Sequence, residues 1–155
     1  MTTSSPTTSD VILEAARHVL ATQGLAAFTV RKVASRAQVD PALLYHYFGS
    51  KEDVVLAATS LNPQLAKRLS SLKRYDARTA RTKMTRIFKD SDLSQWLKAM
   101  LVVQADPSYS PRTTTLARML DLVASQPADQ GAIAGWLFEE YLFRRGSSRP
   151  QTRAS

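Results

Sequence analysis

Residues 28–51 read FTVRKVASRAQVDPALLYHYFGSK, from Phe28 to Lys51. Thr29 is placed to cap a short helix whose inward face is Val30, Val33, Ala34 and Ala37. A break of a few residues follows. Asp40-Pro41 restarts a helix, with Asp as the cap and Pro at the first helical position, where its missing N–H does no harm. Gly49 stops that helix. Ser50-Lys51-Glu52-Asp53 starts the next one, with Asp53 as a weaker version of the capping-box acid. Two short helices joined by a tight turn fit a helix-turn-helix. Ala34 and Ala37 are small, so the second helix can cross the first closely. The second helix must be short enough, and exposed enough, to enter a major groove about 12 Å wide. Its expected outward residues are Asp40, Pro41, Ala42, Leu43, Tyr45, His46 and Tyr47; Val39 and Leu44 are expected to point inward. Arg31, Lys32, Arg36 and Lys51 surround the unit and suit phosphate contacts.

On either side of this segment the apolar residues keep helical spacing. Ile12, Ala15, Ala16, Val19 and Leu20 form a stripe that Ser9 can cap, with Asp10 in its first turn and Gly24 at its end. After Pro63 come Leu65, Leu69 and Leu72, then Ala77, Ala80, Met84, Ile87 and Phe88. Leu93, Trp96, Leu97, Met100 and Leu101 follow, and Leu116, Met119, Leu120 and Val123 after a loop at Asp106–Pro111. Pro127 breaks the chain, and Ile133–Phe143 reads as the last helix. No alternating strand pattern and no internal repeat is present. The expected fold class is all-α. A three-helix helix-turn-helix head spans residues 9–60, and a small C-terminal helical bundle spans 61–143. Residues 1–8 and 144–155 read as disordered tails, the second one basic.

The 155 residues carry 21 Lys and Arg against 13 Asp and Glu, a net charge of +8. That balance suits a polyanion partner. Its distribution does not locate one. Residues 1–60 hold 5 basic and 5 acidic side chains, whereas residues 61–100 hold 10 basic and 3 acidic. The basic stretch Lys67–Lys89 reads equally well as a solvated helical face. With no cysteine, disulfides, thiolate metal sites and thiol catalysis are excluded. The 2 histidines argue against a histidine metal cage, and neither stands in a catalytic motif. No metal, no cofactor and no enzymatic activity are expected. No apolar run approaches the roughly 18 residues that span a bilayer, and residues 1–10 lack the pattern of a secretory signal. A soluble, cytoplasmic protein is the expectation.

The segment from Ser9 to Leu56 resembles the tetracycline-repressor (TetR) family of bacterial regulators. The resemblance rests on Phe28-Thr29, on Arg31-Lys32-Val33-Ala34, on Val39, and above all on Leu44-Tyr45-His46-Tyr47-Phe48-Gly49-Ser50-Lys51-Glu52. It implies a homodimer that binds a palindromic double-stranded DNA operator through an N-terminal head. It also implies a C-terminal helical domain that dimerises and takes a small-molecule effector, whose binding releases the operator. By position, Arg31, Leu43, Tyr45, Tyr47 and Lys51 fall where family members contact DNA; Lys32, Pro41, Ala42 and His46 complete the expected surface. Each has a chemical rationale. Tyr45 and Tyr47 can hydrogen-bond phosphate while the ring packs on sugar or a thymine methyl. Lys51 adds a cation to a helix start, which suits phosphate. Arg31 can read guanine or hold phosphate. Phe48 is expected to anchor the unit against the first helix, and His18 to lie at the surface. Two positions depart from the pattern: Gln38 stands where the family carries Gly, and Leu43 where many members place Thr or a small polar residue.

From residue 61 the resemblance fades, and the C-terminal part is shorter than the family implies. The alternative readings are a regulator without ligand response and a basic helical module that binds nucleic acid without sequence preference. The last helix is apolar around most of its circumference, so one face is expected to meet a second copy. Ile133, Trp136, Leu137, Phe138, Tyr141 and Leu142 are the expected dimer contacts.

Overall fold

The computed structural model describes residues 5–144, all helices and connecting turns with no strand among them. Helix α1 is Thr8–Gln23, α2 Val30–Ala37, α3 Pro41–Phe48 and α4 Lys51–Ala58. Helix α5, Pro63–Ser70, runs into a 3-10 turn at Ser71–Arg74. Helix α6 is Ala77–Ile87, α7 Ser91–Ala105 and α8 Thr115–Val123. Helix α9, Pro127–Leu137, continues as a π-helical segment, Phe138–Arg144. The all-α expectation holds, with a helix-turn-helix head followed by further helices.

Short polar side chains set most of the helix starts. Thr29, Asp40, Ser50, Asn62, Asp76 and Asp90 each accept a first-turn backbone N–H, which would otherwise lack a partner. Helix α1 starts two residues earlier than the sequence reading put it. Thr7, not Ser9, is the cap: its hydroxyl accepts the Asp10 N–H at 3.1 Å, and Asp10 accepts the Thr7 N–H at 3.0 Å. The reciprocal pair needs an acid three residues on, and only Thr7 has Asp10 at that distance. The expected N-terminal tail therefore loses residue 8 to the helix, and residues 1–4 lie outside the described residues. Pro127 occupies the first turn of α9, so it opens that helix rather than only breaking the chain. At the other end Arg144 belongs to the last helical turn, with its guanidinium 2.9 Å from Glu139 and 3.4 Å from Glu140. The remainder of the expected basic tail, 145–155, lies outside the described residues.

The apolar stripes converge on two clusters. Helix α1 presents Ile12, Ala15, Ala16, Val19 and Leu20 to Phe28, Val33, Ala34, Leu44, Val54 and Val55, which together fill the head. The same cluster contains Ala99 and Val103 of α7 and Tyr109 of the following loop. The second cluster gathers Leu65, Leu69, Met84, Phe88, Leu97, Met100, Met119, Ile133 and Leu137. Helix α7 is therefore shared, with one side on α1 and the other on the C-terminal helices. His18, expected at the surface, is half-buried at this contact, its Nδ1 3.2 Å from Gln95 Oε1. The sequence around His18 gave no sign that α7 would cover it.

Gln38 ends α2 in the left-handed region, φ 58° and ψ 45°, and donates its N–H back to the last turn of the helix. That conformation costs a residue with a Cβ on the order of 1 kcal/mol relative to glycine. Gln38→Gly is accordingly expected to raise stability by up to about 1 kcal/mol. The measurement is the urea midpoint at constant slope; an unchanged or lower midpoint would contradict the strain.

Candidate nucleic-acid interface

The second helix of the helix-turn-helix is α3. Asp40 Oδ1 takes the Ala42 N–H at 2.8 Å, and Pro41 sets the first turn. Gly49, at φ 93°, ends the helix in a conformation that favours glycine. Between these stops α3 has eight residues. Leu44 points inward and is 1 % exposed. Phe48, one turn later, is half-buried against the same core, less deeply than an anchoring role implies. Val39, expected inside, is also only half-buried.

The opposite face is open. Pro41, Ala42, Tyr45 and His46 are exposed, and their i, i+1, i+4, i+5 spacing puts them on one side of the helix. Tyr47 is exposed too, while Leu43, expected outside, is half-buried. Tyr45 and Tyr47 keep 54 % and 48 % of their surface in solvent, large values for aromatic side chains on so small a helix. The His46 ring meets the Tyr47 ring edge-on at 5.4 Å, and Tyr47 leans towards Phe48 at 6.4 Å. These contacts leave Tyr47 about half in solvent.

The two helices packed on α3 carry the expected cations. Arg31 and Lys32 lie in the first turn of α2, and both are exposed. Lys32 Nζ donates to Gln23 Oε1 at 2.9 Å, which ties it to the end of α1. Arg36 is exposed in the last turn of α2. Lys51 opens α4 and is half-buried. Its helix start is partly committed: the Ser50 hydroxyl accepts the Asp53 N–H at 3.1 Å and donates to Asp53 Oδ2 at 2.9 Å.

The structure also places a residue beside the head that the sequence reading did not single out. The loop after α7 folds back so that Tyr109 enters the head core at 8 % exposure. Burial pushes its phenol above the ordinary value, and the nearby Glu52 charge adds to this. Arg112 of the same loop then lines a cleft of about 440 Å³ with Lys51, Glu52 and Leu25. No periodicity marks Asp106–Thr113, so nothing in the sequence joined it to the head.

A capped two-helix unit, crossed through small residues and presenting a short aromatic helix to solvent, has the architecture of a helix-turn-helix head. Residues 12–58 match the family described as bacterial regulatory proteins, tetR family. The HTH-type transcriptional regulator BetI of Rhizobium meliloti (strain 1021) is 42 % identical over 52 residues, which cover 34 % of this chain and 26 % of that protein. The chain thus aligns with about a quarter of the length of the curated relative it matches. Residues 12–58 are thereby similar to the helix-turn-helix domain of TetR-family regulators. No helix among the described residues is long and apolar enough to cross a membrane.

Proposed function

We propose that the chain is a DNA-binding transcriptional regulator that reads its operator with α3 in the major groove. The observation that carries this reading is the pair of exposed tyrosines, Tyr45 and Tyr47, on a helix whose other side is held by Leu44. Arg31, Lys32, His46 and the exposed Pro41 and Ala42 complete the surface, Leu43 contributes an apolar edge, and Lys51 binds phosphate at its margin.

The working form in this reading is a homodimer on a palindromic operator, because one eight-residue helix covers only half a site. The two recognition helices then lie about 34–36 Å apart, one turn of DNA. Of the expected dimer contacts, Ile133, Leu137 and Tyr141 are at most 2 % exposed within the single chain, covered by its own second core. Their contribution is to hold the helix in place. The surface left for a partner is formed by the half-buried Trp136, Phe138 and Leu142 and by Phe143, which is 67 % exposed.

The way the head is fastened supports release by a small effector. Arg17 Nε of α1 donates to the Ala58 carbonyl at 2.9 Å, and Trp96 Nε1 of α7 donates to the Ser60 carbonyl at 3.0 Å. The end of α4 is therefore gripped from both sides. A ligand that shifts α7 moves α4, and with it the separation of the recognition helices.

The test is fluorescence anisotropy of the purified chain on its own upstream intergenic DNA and on a scrambled duplex, at physiological salt. A preference of roughly a thousandfold or more supports specific regulation. Equal, salt-steep binding to both overturns it in favour of a non-specific basic module. Lys51→Ala is expected to weaken both duplexes alike and to lower the slope of log affinity against log salt by about one. A loss confined to the operator duplex would reassign Lys51 to base reading.

A further inference from the structure

We propose that the cleft between α5, the 3-10 turn and one face of α6 is a binding site for a small polyphosphorylated anion. Four cations converge on it: Arg68 from α5, Arg74 from the turn, and Lys83 and Arg86 from α6. Lys83 and Arg86 are three residues apart and share a helix face. The cleft is open to solvent on one side and measures about 310 Å³, at the lower end of the roughly 300–1,000 Å³ typical of small-ligand sites. Leu72, 4 % exposed, forms part of its floor.

Tyr75 organises the cations. Its hydroxyl takes a hydrogen bond from the Arg74 guanidinium at 3.0 Å. The Arg74 guanidinium lies 5.0 Å from the centre of its ring and the Lys83 ammonium 4.6 Å, so one aromatic ring holds two like charges near each other. The Arg74 hydrogen bond, followed by the Arg74 and Lys83 charges, keeps the phenol below its ordinary value, as a positive local potential would.

The nearby carboxylates are committed elsewhere. Asp76 caps α6 through the Thr79 N–H at 2.7 Å. Asp90 caps α7 through the Asp92 and Leu93 N–H groups, and with Asp92 it lines a neighbouring cleft on the other side of Arg68. Among the described residues, none of the four cations has a carboxylate at ion-pair distance. An ordinary solvated face mixes its charges. Here cations alone are gathered in a concavity, and a compact anion with several phosphate oxygens matches them better than an extended duplex. The site is separate from α3, so it stands or falls independently of the operator reading.

The experiment is calorimetric titration of the full chain with sodium tripolyphosphate at physiological ionic strength, with sulfate as competitor. One-to-one binding is expected, weakened at least about tenfold by the double substitution Lys83→Gln/Arg86→Gln. Tyr75→Phe, which removes only the hydroxyl that holds Arg74, is expected to cause a smaller loss. Amide shifts confined to α5 and α6 on titration locate the site, and an unchanged melting temperature shows that the charge variants fold. Absence of binding overturns the proposal, as does equal affinity in the double variant or displacement by sulfate at equal ionic strength. Random-sequence duplex binding through the same side chains, with no tripolyphosphate binding, would make this a nucleic-acid surface instead.

Discussion

The double substitution Tyr45→Ala/Tyr47→Ala is expected to weaken operator binding by about a hundredfold while thermal stability stays unchanged. Both rings are about half in solvent, so neither contributes much to the head core. Their loss is therefore read in affinity alone. Each contact of this kind discriminates by about 1–2 kcal/mol, and two on one helix compound. Phenylalanine variants separate the parts: Tyr45→Phe and Tyr47→Phe keep the ring and lose only the phosphate-seeking hydroxyl. Affinity for a scrambled duplex should fall far less than affinity for the operator. If the double variant bound its operator as well as the parent chain, α3 would not be the reading helix.

Phe28→Ala should give the opposite signature. Phe28 is 1 % exposed and sits between α1 and α2, with its N–H on the Leu25 carbonyl at 3.1 Å. Emptying a buried phenylalanine site costs about 3–5 kcal/mol, a large share of the 5–15 kcal/mol that holds a domain together. DNA binding is lost with it, although Phe28 never touches DNA in this reading. Urea unfolding followed by circular dichroism measures the cost. A loss below about 1 kcal/mol would mean that α2 is positioned by its turn and caps rather than by this side chain.

The head was legible in the sequence because its instructions are local. Thr29, Asp40-Pro41, Gly49 and Ser50 each act within four residues, and the structure uses all of them at those positions. Thr7 is within reach of the same logic: Ser9 is the nearer hydroxyl, but Thr7 is the one with an acid three residues on. The misses elsewhere are non-local. His18 is covered by Gln95, 77 residues away in the chain. Tyr109 lies in a proline-bearing loop whose spacing predicts nothing, yet it reaches the head core. Ile133, Leu137 and Tyr141 look like surplus apolar surface in one dimension, and only the packing of α6, α7 and α9 shows that the chain covers them itself. On α3 the direction of each side chain followed from periodicity, except that Leu43 is half-buried and Phe48 less than fully buried; Val39, just before the helix, is half-buried too.

The double allegiance of α7 bears on anyone who would transplant this head. A cut after residue 60 looks natural in the sequence, since the helix-turn-helix is complete by then. Such a fragment would leave behind Ala99, Val103 and Tyr109, which plug its core, and would bare the groove on α1 that they fill. A chimaera built at that splice point would join two half-finished interiors. The workable graft carries α7 and its following loop along, or supplies a host helix with small residues at the positions of Ala99 and Val103.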